Sequence, residues 1–385
     1  MRTSERFRAL PAYPLAGMKE IRRRIEASGV DVIDLGTGDA QLDPPPRVVE
    51  RLREVAGEQS YSRYGFQSGL TELREAIADW MRTRFGVGVD PVTEIVPLIG
   101  SKEGIAHLPF ALIGTGDVGI VPDPGYQAYL GGVTLAGGEP HLVRLERAHD
   151  FLVPLEDIPA GVARRTRILY LNYPNNPTTA VAPDDYYRSA IEFCHRQGTV
   201  LAHDHAYSEI AFEGYRPRSV LELDGARDVA IEFHSFSKTY NMTGWRLGWA
   251  VGSADLIGAL TRVKTFVDTG GYLGIQAAGV AALESWADWV PQNVATFQRR
   301  RDAAVRAFRN AGFDVECPRA TMYLWMPVPA GSSSDAFARR ALEEAGVIVL
   351  PGASLGKGGE GYFRIALTVP EARLGEAAAR LAGLA

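Results

Sequence analysis

The chain has 385 residues, 46% of them hydrophobic and 23% charged, with a net charge of -5, a balance that suits a globular protein with a large core and two domains. Its apolar runs fall far short of the roughly 18 residues a spanning helix needs, and no sustained basic surface is left for nucleic acid, so the expected partners are small molecules, not a membrane or a nucleic acid. Cys194 and Cys317 lie far apart, outside any Cys-x-x-Cys, and the charged N-terminus lacks a secretory leader, which fits a reducing cytoplasm.

Residues 1–17 are irregular, broken by Pro11, Pro14 and Gly17, and residues 18–27 read as a charged amphipathic helix. A short strand over 31–35 stops at Gly36-Thr37-Gly38-Asp39. Gln41 stands where a dinucleotide fingerprint needs its third glycine, so this is a loop and no Rossmann turn. Pro46 opens a helix to about Ala56. A loop with Tyr61, Tyr64 and Phe66 precedes a helix over 70–85, whose Leu73, Ile77, Trp80 and Met81 share one face.

Beyond Asp90 the chain alternates: strand 94–99, helix 103–113, strand 117–121, helix 127–136, strands 140–144 and 166–171, helix 184–197, strand 199–203. Such alternation predicts an α/β fold, with a mostly parallel sheet covered by helices and a ligand site at the carboxyl ends of the strands. After Gly270-Gly271, helical patterns over 272–289 and 291–311 give way to short strands around Val315, 322–327, 347–350 and 362–367, with helices over 335–345 and 371–384. We expect a large domain over 41–270 and a smaller α+β domain built from 1–40 and 271–385.

The polar residues just past each strand are chemically loaded, and together they supply what pyridoxal phosphate requires. Gly100-Ser101-Lys102 opens a helix, whose backbone N–H groups and positive dipole end suit a phosphate. Ser235, Ser237 and Arg246 would complete that cup, the arginine with its fork of donors. The amine of Lys238, in a loop between strands, can form a Schiff base with an aldehyde and later serve as a base. Asp204, at the end of an apolar strand, can keep a pyridine nitrogen protonated, which makes the ring an electron sink. Tyr207 is in reach of the ring's phenolic oxygen, and Tyr126 offers a flat face for stacking.

Three motifs in this order, Tyr173-Pro174-Asn175-Asn176-Pro177-Thr178, Asp204-His205-Ala206-Tyr207-Ser208-Glu209, and Ser235-Phe236-Ser237-Lys238 with Thr243-Gly244-Trp245-Arg246-Leu247-Gly248, make the chain resemble a class I, fold-type-I pyridoxal-phosphate-dependent aminotransferase over essentially its whole length. The resemblance implies that Lys238 carries the cofactor, Asp204 binds its ring nitrogen, and Tyr207 and Asn176 contact its phenolic oxygen. Ser101, Ser235, Ser237 and Arg246 would hold its phosphate, with Tyr64 reaching across a homodimer with shared active sites. Arg364 matches the arginine that grips the substrate α-carboxylate, and Gly38 the glycine whose backbone lies against the substrate. Where the family reads Asn-Pro-Thr-Gly this chain has Thr179, a costly residue if that position needs positive φ.

The opening Leu10-Pro11-Ala12-Tyr13-Pro14, Gly100-Ser101-Lys102-Glu103-Gly104 and the run at 203–209 look most like the LL-diaminopimelate and aspartate aminotransferase branches. That implies glutamate/2-oxoglutarate as one substrate pair. Lys102 then either meets a distal carboxylate or only caps its helix or pairs with Glu103. Tyr13 and Leu15 would belong to a lid.

Rival readings are weaker. Ser235-x-x-Lys238 also spells the acylated serine of β-lactamases, but Ser-Asp-Asn and Lys-Thr-Gly are missing. His203 and His205 share a strand face as metal ligands would, with no third histidine near in sequence and Asp204 pointing the opposite way. Gly352 to Lys357 lacks the spacing and the following Ser or Thr of a P-loop. The same cofactor could also run β-elimination, decarboxylation or racemisation, or sit in a regulator that turns nothing over.

Overall fold

The computed structural model describes residues 2–11, 23, 27 and 29–385. Tyr13, Leu15 and most of the helix expected over 18–27 lie outside the described residues. Short runs rich in Val, Ile and Leu, bounded by Gly, Pro and Asp, form the strands: β1 (Ile33–Asp34), β2 (Ile95–Leu98), β3 (Val118–Asp123), β4 (Glu139–Arg144), β5 (Thr166–Leu171), β6 (Val200–Asp204), β7 (Ala230–Ser235), β8 (Gly248–Gly252), β9 (Tyr323–Pro327), β10 (Val347–Ile348), β11 (Leu350–Pro351) and β12 (Tyr362–Ala366). Among the described residues, seven of these make one sheet in the order β2-β8-β7-β6-β5-β3-β4. Its pairings are parallel except those of β8, which runs against both β2 and β7.

β3, β5 and β6 are buried almost throughout, as continuous apolar strands of a helix-covered sheet must be. The helix Thr71–Phe85 presents Leu73, Ile77 and Met81 to the core with no exposure, each contributing about 1.5–3 kcal/mol by leaving water. It ends where Gly86 adopts φ 72°, so that its N–H can reach back to the Arg82 carbonyl. The expected helices over 127–136 and 184–197 coincide with Gln127–Ala136 and Asp184–Gln197.

Outside this sheet, β11, β12 and β9 form a three-stranded antiparallel sheet, and β1 pairs in parallel with β10, placing Ile33 opposite Val347. A separate hydrophobic cluster joins Ile33 and Leu35 to Phe297, Phe308, Phe337 and Phe363.

Four details depart from the sequence reading. The run expected as one strand over 347–350 changes sheet at Val349: β10 pairs with β1 and β11 with β12. Val315 lies outside any strand among the described residues. The long helices break at Ser285 and not before Pro291, which sits inside Trp286–Asn310. Tertiary bonds fix that break, because Trp286 Nε1 donates to Glu209 and Trp289 Nε1 to the Thr239 carbonyl. Finally, Ser235 to Lys238 is no open loop: Ser235 accepts from the Ser237 N–H at 3.2 Å and caps a single helical turn, Phe236–Thr239.

Candidate active site

The carboxyl ends of β3, β5, β6 and β7 open on a cavity of about 490 Å³. Lys238, Asp204, Tyr207 and Asn176 line it, together with Gly38, Arg364, Tyr126 and Lys102; Ser101, Ser235, Ser237 and Arg246 complete the expected set. Two expected residues are not among them. Tyr64 stands 73% exposed on the surface, and Tyr13 lies outside the described residues.

One end of the cavity gathers groups for an anion. The helix Ser101–Leu112 begins after Gly100, whose φ of 74° and missing Cβ let the Arg246 guanidinium lie against its backbone. The helix has no side-chain cap, so its first N–H groups are not satisfied by one. Ser235 and Ser237 come from the turn that follows β7, and Ser235 stands opposite Gly248 across the sheet. Arg246 is further held by its Nη1, which donates to the Thr243 carbonyl at 2.8 Å.

Asp204 ends β6. Tyr129 donates to its Oδ2 at 2.7 Å, while Oδ1 has no partner among the described residues. Burial pushes this carboxyl up to about 6, although the Tyr129 bond acts to lower it. Such a carboxylate is poised to meet a buried N–H. Asn172 braces the same strand end, donating to the Asp204 carbonyl at 2.7 Å and accepting from the Asn176 N–H at 2.8 Å.

A second guanidinium, Arg364 on β12, holds the other side. Its Nη1 donates to Asn176 Oδ1 at 2.7 Å and its Nη2 to the Gly36 carbonyl at 2.9 Å, and its Nε has no partner among the described residues. Lys238 Nζ donates to the Gly38 carbonyl. Lys102 Nζ lies 5.7 Å from the centre of the Tyr126 ring. Glu103 is engaged elsewhere, by Lys264 at 2.7 Å, His107 and the Ile99 N–H.

The chain matches the family described as aminotransferase class I and II over residues 30–381. It belongs to that family. This aminotransferase is 48% identical over 380 residues to an LL-diaminopimelate aminotransferase of Desulforudis audaxviator, covering 99% of this chain and 97% of the other. Among solved structures, it resembles a probable N-succinyldiaminopimelate aminotransferase of Thermus thermophilus, with TM-score 0.91, 36% identity and coverage of 96% and 99%. A double mutant of the aspartate aminotransferase from the same organism superposes with TM-score 0.93 at 28% identity, covering 100% of both chains.

The aminotransferase is therefore pyridoxal-phosphate-dependent, and its cavity fits that group: an open, buried carboxylate oxygen for the ring nitrogen, an amine, and an arginine beside an uncapped helix start. Sequence reasoning missed three neighbours. Tyr129 follows Tyr126 by one helical turn, a spacing that could have flagged it. Asn172 opens the Asn-rich motif, and Tyr323, whose hydroxyl is 3.0 Å from that of Tyr207, comes from β9, far away in sequence.

The His203–His205 pair also has more company than its spacing indicated. Glu232 on β7 accepts from His203 Nδ1 at 2.8 Å and the Val220 N–H at 2.9 Å through Oε1, and from Ser219 at 2.6 Å through Oε2, with His234 3.3 Å away. Burial alone would raise Glu232, but the bonds from His203 and His234 hold it well below the carboxylate range. With both oxygens supplied with donors, these residues form a hydrogen-bonded knot behind the sheet, on the face opposite Asp204.

Thr179 does occupy the left-handed region, at φ 63°, so the threonine carries the strain that glycine would avoid.

Proposed function

We propose that this aminotransferase moves the amino group of an L-amino acid bearing a second, distal carboxylate, with LL-diaminopimelate as the leading donor and glutamate/2-oxoglutarate as the other pair. The carrying observation is that one cavity has two separate guanidiniums, Arg246 and Arg364, flanking an amine and an open carboxylate oxygen. That spacing of charges suits a cofactor phosphate on one side and a substrate carboxylate on the other. The donor class is supported by the name of the 48% identical relative and by Lys102, which is on the cavity wall while Glu103 is held by Lys264.

Pyridoxal phosphate, when bound, supplies an aldehyde for the amino group and a protonated ring that accepts electrons. The chain's residues do the rest. The Ser101 helix start, Ser235, Ser237 and Arg246 would hold the phosphate, Asp204 would accept from the ring nitrogen, Tyr126 would offer its ring for stacking, and Tyr207 and Asn176 would serve the phenolic oxygen. Arg364 orients the α-carboxylate with Gly38 beside it, and Lys238 moves the proton at the α carbon. Tyr64, exposed in one copy, would reach the phosphate of a second copy in a homodimer. We read residues 41–270 as the cofactor-binding domain and 1–40 with 271–385 as the smaller one; the β1–β10 pairing supports the return of the N-terminal segment, while Ala278, Ala282 and Leu283 pack with Leu73 and Ile77 of the larger unit. A reducing cytoplasm suits the two free cysteines.

The test is spectroscopic. The purified protein should show a visible absorbance band with pyridoxal phosphate, and single amino acids added without keto acid should convert it to the pyridoxamine form, ranking the donors. A protein that stays colourless with added cofactor defeats the site assignment, and conversion by monocarboxylic donors alone defeats the substrate class.

A further inference from the structure

Tyr323 stands where the two halves of the site meet. It begins β9, which pairs antiparallel with β12 so that Trp325 faces Arg364 and Tyr323 faces Ala366. Residues two apart on a strand share a face, and Tyr323 accordingly lies beside Arg364 on the cavity wall. The guanidinium carbon is 4.0 Å from the centre of the Tyr323 ring, well inside the roughly 6 Å over which a cation is attracted to an aromatic face. Among the described residues, Arg364 is tethered in its own plane through Nη1 and Nη2 alone. The ring beneath it sets the tilt that those bonds leave free.

The hydroxyl of the same residue has a different partner. It lies 3.0 Å from the Tyr207 hydroxyl, and the two rings meet edge to face, with centres 5.6 Å apart. Gly38 makes room for it: a Cβ there would stand 2.5 Å from the Tyr323 oxygen. Lys238 donates to the carbonyl of that same glycine. One buried phenol thus contacts or borders the groups assigned to the carboxylate, the cofactor ring and the proton.

We propose that Tyr323 is a positioning residue for both halves of the site: its ring fixes the Arg364 guanidinium for the substrate carboxylate, and its hydroxyl fixes the Tyr207 phenol against the cofactor ring. This rests on the site assignment above. Burial alone would raise the Tyr323 phenol, but the Arg364 and Lys238 charges and the Tyr207 bond hold it below the ordinary phenol value, whereas burial pushes Tyr207 up. Either hydroxyl can donate in this pair, and in both cases the bond orients the Tyr207 phenol.

Two substitutions separate the two tasks. Tyr323→Phe keeps the ring under Arg364 and deletes the hydroxyl that orients Tyr207. The pH at which the visible band of the holoenzyme changes should move by roughly half to one unit, the weight of one hydrogen bond, with KM for the amino donor within about twofold of wild type. Tyr323→Leu removes the ring as well, and KM should rise about 3- to 30-fold, the range of a cation–π contact. A phenylalanine variant with an unmoved transition overturns the proposal, even if the leucine variant fails to fold. The two readings fail differently. A wild-type protein without the band, or a Lys238→Ala protein that keeps it, defeats the site assignment; a normal band lost in Lys238→Ala but unmoved in Tyr323→Phe defeats this inference alone.

Discussion

Tyr129 donates to Asp204 through one carboxylate oxygen and leaves the other bare. The consequence is a pH dependence with an unusual sign for a carboxylate. Asp204 is raised from 3.8 to about 6, so the folded apoprotein keeps a proton that the unfolded chain has lost. Its stability contribution is fully present below pH 3.8 and declines as pH rises through 6, by on the order of 3 kcal/mol. Cofactor loading supplies a partner for Oδ1 and removes this penalty. The gain in Tm on loading should therefore grow between pH 5 and pH 7.5, and Asp204→Asn should abolish that growth; an equal slope in both proteins refutes the assignment.

Glu232 has the opposite sign. Its carboxyl is held far below the ordinary value of 4.5, so its contribution is present above that pH and lost as the solution becomes more acid. Glu232→Gln keeps the shape but removes the charge that accepts from His203, Ser219 and the Val220 N–H, and should cost about 1–3 kcal/mol in urea unfolding at pH 7. A loss under 1 kcal/mol would mean that the histidine knot carries little of the fold.

Thr179→Gly should stabilise the protein. The position sits at φ 63°, where a β-branched residue costs on the order of 1–3 kcal/mol and glycine almost nothing; greater freedom of glycine in the unfolded chain offsets part of this, leaving a net gain of about 1 kcal/mol. An unchanged or lower urea midpoint speaks against strain at this turn.

Arg364→Lys should reduce kcat/KM for the amino donor by about 100-fold, because a point charge cannot replace a fork that already spans Asn176 and Gly36. The visible band of the resting holoenzyme should be unaffected, since the arginine's task is the substrate. Loss of the band would place Arg364 in cofactor binding instead.

Much of the site could be read from the sequence because strand-ending loops announce themselves: Gly100-Ser101, Asp204 and the Ser235–Lys238 turn each follow an apolar run whose period is plain. The sheet's alternation was equally visible over 94–203. What escaped reading was set by distant packing. Tyr323 looks like any strand tyrosine until β9 is laid beside β12, and Glu232 sits in an apolar strand where nothing local reveals that His203 waits on the next one. The change of sheet at Val349 likewise depends on β1, more than 300 residues away. Thr179 was the converse case, since the family pattern exposed a conformational demand that local propensity would have hidden.

Ser235 and Gly248 are register partners on adjacent antiparallel strands, which makes the intervening twelve residues a cassette closed at its neck. On the proposed assignment, that cassette holds both the amine and the phosphate arginine. The groups assigned to the rest of the substrate, at Gly38 and Arg364, are delivered by other segments. Retuning which amino acid is accepted can thus proceed by exchange of those segments while the cofactor anchorage is inherited unchanged.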